Sequence, residues 1–519
     1  MTTKHRREFL KTTATGLAAA ALLGTVKGET MKESDGDPHP ELVEATITSL
    51  QSQLSAGTLT SRKLTEMYIE RIKTIDRKTR SVLELNPDAL GIADSLNRER
   101  KKGKVRGPLH GIPVLIKDNI DTADKMHTTA GSWALVDAPT PKEDAFVAAQ
   151  LRKAGAVILG KTNLSEWANF RSTKSISGWS GRGWQTNNPY FLDQNPCGSS
   201  SGSGVSVSAN LAAAAVGTET NGSIICPSVT NGIVGIKPTL GLVSRAGIIP
   251  IAHTQDTAGP MARSVSDAAI MLNAMAGTDP RDIVTTDADN KREKDYAKFL
   301  DAGGLNGARL GLAMQFITRA ETKAFFQPFI DKLREAGATL IDVTFTPDYS
   351  KVSDDRFNVL MYEFKTDLNK YLAARGGKYK TLEDLIKFND ENKDRELPVF
   401  GQEIFIDSQK KGELTDKAYT DALANVKRVA RKEGIDAVIE KDKLDAIVSP
   451  TSGATWAIAA TAGYPHITVP VGLRENSPSG MSFYGVPWSE GRLIKYAYAF
   501  EQMTKARVVP QFLPTYKKA

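Results

Sequence analysis

The sequence predicts an α/β fold, built as one large domain over residues 41–519 around a central sheet of mostly parallel strands. Two segments show a helical pattern, then a glycine, then a short apolar strand pattern: EDAFVAAQLRKAGAVILGKTN (143–163) and LREAGATLIDVTF (333–345). Repeated units of this kind are typical of parallel sheets covered by helices. The short apolar runs DAIVSP (445–450) and HITVPVG (466–472) predict further buried strands, and no linker divides the domain.

The first 28 residues have the composition of an export signal. The arginine pair of RREFLK (6–11) is followed by TTATGLAAAALLGTV (12–26), a mildly apolar stretch that is too short to span a bilayer. We expect residues 1–28 to be a twin-arginine-type signal that directs the protein to the periplasm or out of the cell. The alternative is an ordinary amphipathic helix. The polar residues that follow predict a flexible linker over 29–40.

Charge and apolar runs limit the classes of partner. The formal net charge is +7, and five basic residues against Glu8 give residues 1–28 a net charge of +4, which leaves +3 for the rest. That value is too small to indicate nucleic-acid binding. No other apolar run is long enough to cross a bilayer, so no stable membrane anchor is expected, and an obligate protein partner is not implied.

The chain has two cysteines, Cys197 and Cys226. Two cysteines in a chain of this length do not form a disulfide framework. We expect buried free thiols, with pairing as the alternative in an oxidising compartment.

Further elements follow from periodicity along the chain. Residues 41–76 show helical spacing twice, interrupted near Ala56 and Gly57. GIPVLIKDNI (111–120) predicts a buried strand that ends at Lys117. Residues 354–440 are charged and mainly helical by pattern.

GAVILGKT (155–162) matches the P-loop expression, but its chemistry does not follow. A P-loop needs small, flexible residues between its glycines so that backbone N–H groups can surround phosphate. Here the residues between the glycines are Ala, Val, Ile and Leu, which predict a strand. We therefore do not expect a nucleotide cofactor, nor any other cofactor.

GSSSG (198–202) matches the nucleophile elbow of α/β-hydrolases, with Ser200 at its centre. That mechanism needs a histidine base downstream, and only His253 and His466 lie there. Neither context demands a catalytic role, so both are expected to be structural. No histidine pair has metal-ligand spacing, and no metal site is expected.

GTETNGSIICP (217–227) offers a second serine, Ser223, after Asn221 and Gly222. A sharp turn there could direct several N–H groups at one point, as a tetrahedral oxyanion requires. The candidate base is Lys117, because burial at the end of an apolar strand disfavours its charged form. A neutral Lys117 could accept a proton directly, or through a hydroxyl of the 199–201 cluster.

Several of these segments resemble a known protein family. GPLHGIPVLIKDNI (107–120) and the block over 197–250 are similar to the amidase signature family, and the resemblance extends over residues 41–519. It implies a mixed, mostly parallel central sheet flanked by helices. Three segments are most similar to bacterial peptide amidases, which hydrolyse the C-terminal amide of peptides: SEWANFR (165–171), SISGWS (175–180) and CGSSSGS (197–203).

The resemblance assigns roles by position. Ser223 corresponds to the nucleophile that forms the acyl-enzyme, Ser199 to the bridging serine that follows a cis peptide, and Lys117 to the base. The oxyanion hole corresponds to the backbone N–H groups of Thr220, Asn221, Gly222 and Ser223. Ser200 is then a neighbour of this relay.

The expected function is hydrolysis of peptide C-terminal amides to acid and ammonia by an exported enzyme. Within enzymes the alternative is an amidase for small acyl or aryl amides. An exported binding protein with the same fold and little turnover is the alternative from another class. Asn221 stands where the family usually has Gly or Asp, and the segment 451–470 is shorter than in peptide amidases.

Overall fold

A computed structural model describes residues 37–345 and 349–516. The predicted export signal and most of the predicted linker lie outside the described residues, and both stay predictions. From Pro38 onward the chain forms one compact unit. The α/β class and the single domain are confirmed.

The strands of the described residues are numbered in chain order. They are β1 (Val82–Leu85), β2 (Pro113–Lys117), β3 (Val157–Thr162), β4 (Trp179–Ser180), β5 (Trp184–Gln185), β6 (Ala214–Glu219), β7 (Val234–Lys237), β8 (Thr257–Ala262), β9 (Arg309–Leu312), β10 (Thr339–Asp342), β11 (Ala446–Pro450), β12 (His466–Arg474) and β13 (Ser477–Tyr484).

The α-helices of the same residues are numbered in the same way. They are α1 (Ile47–Ala56), α2 (Ser61–Thr79), α3 (Ala89–Lys101), α4 (Phe146–Lys153), α5 (Ser201–Ser208), α6 (Ile225–Thr230), α7 (Val265–Met275), α8 (Ala288–Lys291), α9 (Ala320–Glu335), α10 (Ser353–Arg375), α11 (Leu382–Glu391), α12 (Lys393–Glu396), α13 (Glu403–Gln409), α14 (Lys417–Ala430), α15 (Asp436–Asp442), α16 (Gly453–Ala462) and α17 (Glu490–Thr504). None of the helices in the described residues is long and apolar enough to cross a membrane.

Local sequence sets the helix ends where they were predicted. Thr46 caps α1 in a capping box with Ser49, and the helix ends at Ala56 because Gly57 takes the left-handed conformation with φ 73°. The unit over 143–163 forms α4 and then β3, as predicted, and Gly155 between them has φ 83°. These local signals therefore fix both boundaries.

In the described part of the chain, eleven strands form one mixed sheet in the order β1-β3-β2-β6-β8-β7-β12-β13-β11-β9-β10. The mixed sheet is confirmed, but it contains more antiparallel than parallel strand pairs, whereas mostly parallel strands were expected. Parallel pairs occur between β2 and its neighbours β3 and β6, and between β9 and its neighbours β10 and β11. The other pairs in this sheet are antiparallel.

The difference has a physical cause in the connections. Helices α4 and α9 cross over between the parallel pairs β2–β3 and β9–β10, as the helix–Gly–strand units predict. At the centre, β12 turns directly into β13 through Glu475 and Asn476, both with positive φ, which is the geometry of a tight hairpin. The sequence ENS gave no strong turn signal, so this antiparallel hairpin was not predicted.

Helices α10, α11 and α13 form a layer around one hydrophobic cluster. Its Phe364 and Phe405 pack with Trp167 in a hydrophobic cluster, and the ring centroids of Trp167 and Phe405 lie 5.7 Å apart. Trp167 belongs to the segment SEWANFR (165–171), so this helical layer packs against that segment.

Candidate active site

Lys117 lies at the carboxyl end of β2, where its side chain is fully buried. Its Nζ lies 2.7 Å from Ser199 Oγ, 2.8 Å from Thr218 Oγ1 and 3.3 Å from the carbonyl oxygen of Thr218. Strand β6 runs parallel to β2 with Val216 opposite Ile116, so the carboxyl ends of both strands reach the same edge of the sheet. This register brings Thr218 to Lys117.

Burial lowers the pKa of Lys117 to about 7, although the negative charges of Asp256 and Glu219 oppose the shift. A lysine in water has a pKa near 10.5, so burial removes much of the preference for the ammonium form. Near neutral pH, Lys117 can therefore exchange a proton with Ser199.

The loop before α5 places two serines differently. The peptide bond between Gly198 and Ser199 is cis, as the resemblance implies, and the Ser199 carbonyl accepts a hydrogen bond from the Ser165 N–H at 3.1 Å. Ser200 donates its hydroxyl to the Thr218 carbonyl at 3.0 Å and accepts the Thr218 N–H at 3.1 Å. Ser200 is thus bound to the end of β6, beside the Lys117–Ser199 contact.

Ser223 lies in the turn between β6 and α6, and its carbonyl accepts the Ser200 N–H at 3.2 Å. This contact brings the Ser223 turn against the Ser199 loop. Gly222 has φ 83°, and a Cβ there would lie 2.4 Å from Trp456 Nε1, so only glycine fits. Trp456 belongs to α16, within the segment 451–470.

The N–H groups of the Ser223 turn divide into two sets. Glu219 Oε2 accepts those of Ile224 and Ile225 at 2.7 and 3.0 Å, which anchors the start of α6, and the Glu219 carboxylate also accepts the Gly222 N–H. Within residues 37–345 and 349–516, the N–H groups of Thr220, Asn221 and Ser223 form no hydrogen bond. These donors are of the kind that an oxyanion needs, and they belong to the predicted set.

Cys197 and Cys226 form a disulfide, with their Cα atoms 5.9 Å apart. The expectation of free thiols is wrong. Periodicity could not show that the loop before Ser199 and the helix after Ser223 lie side by side, and this proximity is what lets the two sulfurs meet.

A cavity of about 390 Å³ opens beside these groups and is lined by Ser199, Thr218 and Thr220 on one side. Apolar residues of the segment 246–251, together with Ala168 and Tyr371, form much of its wall. Such a space can hold an organic group attached to a carbonyl that reaches the serines.

Asp256 is a site residue that the sequence analysis missed. It lines the cavity and is partly buried, and its Oδ1 accepts the Thr220 hydroxyl at 2.5 Å. Thr218 was missed as well. The parallel pairing of β2 with β6 could have indicated Thr218, because it brings the end of β6 beside Lys117. The segment HTQDT contains no motif that could have indicated Asp256.

His253, Glu363 and Asp367 place three possible ligand atoms within 4.8 Å of one another. Their oxygens already accept internal hydrogen bonds: Asp367 binds the N–H and Nδ1 of His253, and Glu363 binds Thr254 and Tyr419. Burial opposes charging of His253, but these carboxylates outweigh it and raise its pKa. The cluster fastens the loop 250–256 to α10.

The remaining sequence candidates lie in structural positions. Residues 157–162 of the P-loop expression form strand β3, as expected, and Lys161 there donates to Ile120 O at 2.6 Å. His466 on β12 contacts Ser482 Oγ at 2.7 Å and is fully buried, which lowers its pKa to about 3. Both histidines therefore have structural partners.

Comparison with known proteins gives consistent matches along the chain. A family model described as Amidase matches residues 63–458. The structure of native peptide amidase from Stenotrophomonas maltophilia has a TM-score of 0.88 and 47% identity, covering 92% of this chain and 100% of that chain. A peptide amidase in complex with the competitive inhibitor chymostatin has the same score and identity, with 91% and 100% covered. A probable amidase from Arabidopsis thaliana is 43% identical over 480 residues, 91% of this chain and 92% of its own.

Proposed function

The chain belongs to the amidase family of amide-hydrolysing enzymes, and on that premise we propose that it converts the C-terminal amide of peptides to the free acid and ammonia. The reaction is acyl transfer through Ser223, with Ser199 and Lys117 moving protons. The observation that carries this proposal is the 2.7 Å contact between Ser199 Oγ and the buried Lys117 Nζ.

In the first half-reaction, neutral Lys117 accepts the Ser199 proton while Ser199 accepts the proton of Ser223. Ser223 Oγ forms a bond to the amide carbon, and the carbonyl electron pair moves to oxygen. The N–H groups of Thr220, Asn221, Gly222 and Ser223 stabilise that oxyanion. The N–H groups of Thr220, Asn221 and Ser223 form no hydrogen bond in the described residues, so an oxyanion displaces no internal partner from these three. The Gly222 N–H is shared with the Glu219 carboxylate.

Collapse of the tetrahedral intermediate breaks the carbon–nitrogen bond. Ser199 passes a proton to the leaving nitrogen and regains one from Lys117, so ammonia departs neutral. Water then attacks the ester carbon while the same relay takes its proton, and the Ser223–acyl bond breaks as Ser199 returns a proton to Ser223 Oγ and regains one from Lys117, which releases the acid and restores the free enzyme.

The substrate class is supported by the similarity to peptide amidases and by the cavity beside Ser199. Its walls are largely apolar, which suits a side chain on the acyl side of the amide better than a bare small acyl group. Small acyl or aryl amides are the alternative class, and they bury less of that wall.

The test compares amidated peptides, small acyl and aryl amides, and glutamine by ammonia release and mass spectrometry. Peptide amides should give the highest kcat/KM and lose only their terminal amide. Fragments from internal peptide bonds, or a preference for small amides, would contradict the substrate class. Absence of ammonia from every amide would leave the binding protein as the better description.

Variants test the relay. Ser223→Ala should abolish trapping of an acyl-enzyme, while Ser199→Ala should slow acylation by interrupting proton transfer. Ser203→Ala is the matched control: Ser203 is also buried on the same segment, but it donates to the Val216 carbonyl at 3.0 Å. Equal losses in Ser199→Ala and Ser203→Ala would indicate a structural effect and would contradict the role of Ser199.

A further inference from the structure

One carboxylate joins the loop 250–256 to the turn that carries Ser223. Asp256 Oδ2 accepts the N–H groups of Ile251 and Ala252 at 2.8 and 2.9 Å, and Oδ1 accepts the Thr220 hydroxyl at 2.5 Å. Its side chain therefore has three donors and no cation in direct contact among them. Asp256 is partly buried, and withdrawing a carboxylate from water without a cation beside it costs free energy, which its three donors offset.

We propose that Asp256 is a positioning residue of the amidase reaction, which holds the oxyanion turn through the Thr220 hydroxyl and presents its negative charge to Lys117. The inference rests on the proposed function of Lys117 and Ser223. Asp256 lines the same cavity as Ser199 and Thr218, the two residues that contact Lys117 Nζ. It thus faces both parts of the relay.

The charges around these two groups come from several elements. Lys117 is influenced by Asp256 and by Glu219 of β6. Asp256 in turn lies near Asp367 of α10 and near Arg245, whose own partner is Asp282. The nearby His253 is bound to Asp367.

The negative charge of Asp256 affects the pKa of Lys117. Burial raises the pKa of Asp256 to about 6, whereas burial lowers the pKa of Lys117 to about 7. The two groups therefore titrate in neighbouring pH ranges, and Asp256 acts on Lys117 in its ionised form. Its negative charge favours the ammonium form of Lys117 and holds the pKa of the base up, near neutral pH.

Asp256→Asn removes the charge with little loss of hydrogen bonding. The asparagine oxygen can accept the N–H groups of Ile251 and Ala252, while its NH₂ donates to Thr220 Oγ1, because a hydroxyl can reverse its role. Without the charge, the acid limb of the kcat profile should move to lower pH by about 0.5 to 1 unit. The rate on the alkaline plateau should stay within a few-fold of wild type.

Thr220→Val tests the contact with the charge kept. The valine has the shape of threonine but cannot donate to Asp256, so the oxyanion turn is held less firmly. We expect kcat to fall about tenfold at every pH with the acid limb unmoved, because small displacements of reacting groups are expensive. Thr220→Ser, which keeps the hydroxyl, should restore most of the rate.

Asp267→Asn is the matched control for the charge. Asp267 is more deeply buried, its pKa is also raised by burial to about 6, and it accepts the Ile47 N–H at 3.1 Å, but its charge does not act on Lys117. The acid limb of the kcat profile of Asp267→Asn should coincide with that of the wild type. A shift equal to that of Asp256→Asn would show a general effect and would overturn the inference.

Two results separate this inference from the proposed function. If Lys117→Ala keeps wild-type activity, the relay itself is wrong. If Lys117→Ala is inactive but the acid limb of Asp256→Asn stays in place, the relay stands and the charge role of Asp256 is overturned. Wild-type kcat in Thr220→Val overturns the contact role.

Discussion

The disulfide between Cys197 and Cys226 joins the two segments that carry the candidate serines. Cys197 lies two residues before Ser199, and Cys226 lies three residues after Ser223. We predict that its removal in Cys197→Ser/Cys226→Ser lowers both stability and turnover. Serine keeps the size of the side chain and tolerates the φ of 57° at position 197 as well as cysteine does.

The magnitude follows from the length of the closed loop. The two cysteines are separated by 29 residues, and closing a loop of that length in the unfolded chain is worth about 3.5 kcal/mol. Unfolding entropy grows with chain length by about 2 cal/mol/K per residue, so for a domain of this size the loss corresponds to a fall in Tm of about 3 to 4 °C.

Thermal unfolding of the wild type and the double variant, each with and without reductant, measures this effect. Reductant should bring the wild type to the Tm of the variant and leave the variant unchanged. An equal Tm for the two oxidised proteins would refute the loop argument.

The kinetic arm uses the same proteins. If the bond aligns the loop of Ser199 with the turn of Ser223, kcat should fall several-fold while KM changes less, since neither cysteine lines the cavity and its apolar wall over 246–251 is left in place. Unchanged kcat in a variant of lower Tm would show that the bond stabilises the fold without aligning the serines.

Three further predictions concern the base, the oxyanion turn and the N-terminus. Activity should rise with pH through about 7 as buried Lys117 loses its proton, and a folded Lys117→Arg with wild-type kcat would remove lysine from the mechanism, because a guanidinium stays protonated. Gly222→Ala should abolish most activity, because the new Cβ would lie 2.4 Å from Trp456 Nε1 and the positive φ disfavours alanine. Adding Trp456→Ala removes the clash but not the unfavourable φ, so it should restore part of the activity. Trp456→Ala alone is the control, and no recovery in the double variant would refute the clash. Arg6→Lys with Arg7→Lys should retain the precursor in the cytoplasm, whereas unchanged export measured by cell fractionation would contradict a twin-arginine route.

Much of the fold could be predicted because its signals are local. The glycine between α4 and β3 and the strand that ends at Lys117 depend on periodicity and on single residues. The central antiparallel strands were harder to predict, since β7 and β8 pair across a loop and not through a helical crossover. Local patterns do not encode that choice of partner.

The candidate site could be predicted only in part, for the same reason. Lys117, Ser199 and Ser223 lie in recognisable motifs, and the structure brings the first two into contact. Asp256 lies in a segment without a motif, and the role proposed for it depends on a contact with Thr220 that only the folded chain creates. The disulfide is of the same kind, because pairing depends on where two loops meet.

The contacts of Lys117 also agree with a neutral amine when its protons are counted. A neutral amine has two N–H bonds and one lone pair, whereas an ammonium has three N–H bonds. The Thr218 carbonyl accepts one N–H, and Thr218 Oγ1, which also accepts Asn119 Nδ2 at 3.0 Å, accepts the other. The lone pair then faces Ser199 Oγ, the third neighbour, at 2.7 Å. The same three positions accept the three N–H bonds of the ammonium after Ser199 has given up its proton. Lys117 can therefore change protonation state without rearrangement of its neighbours, which is what a base in a buried relay requires.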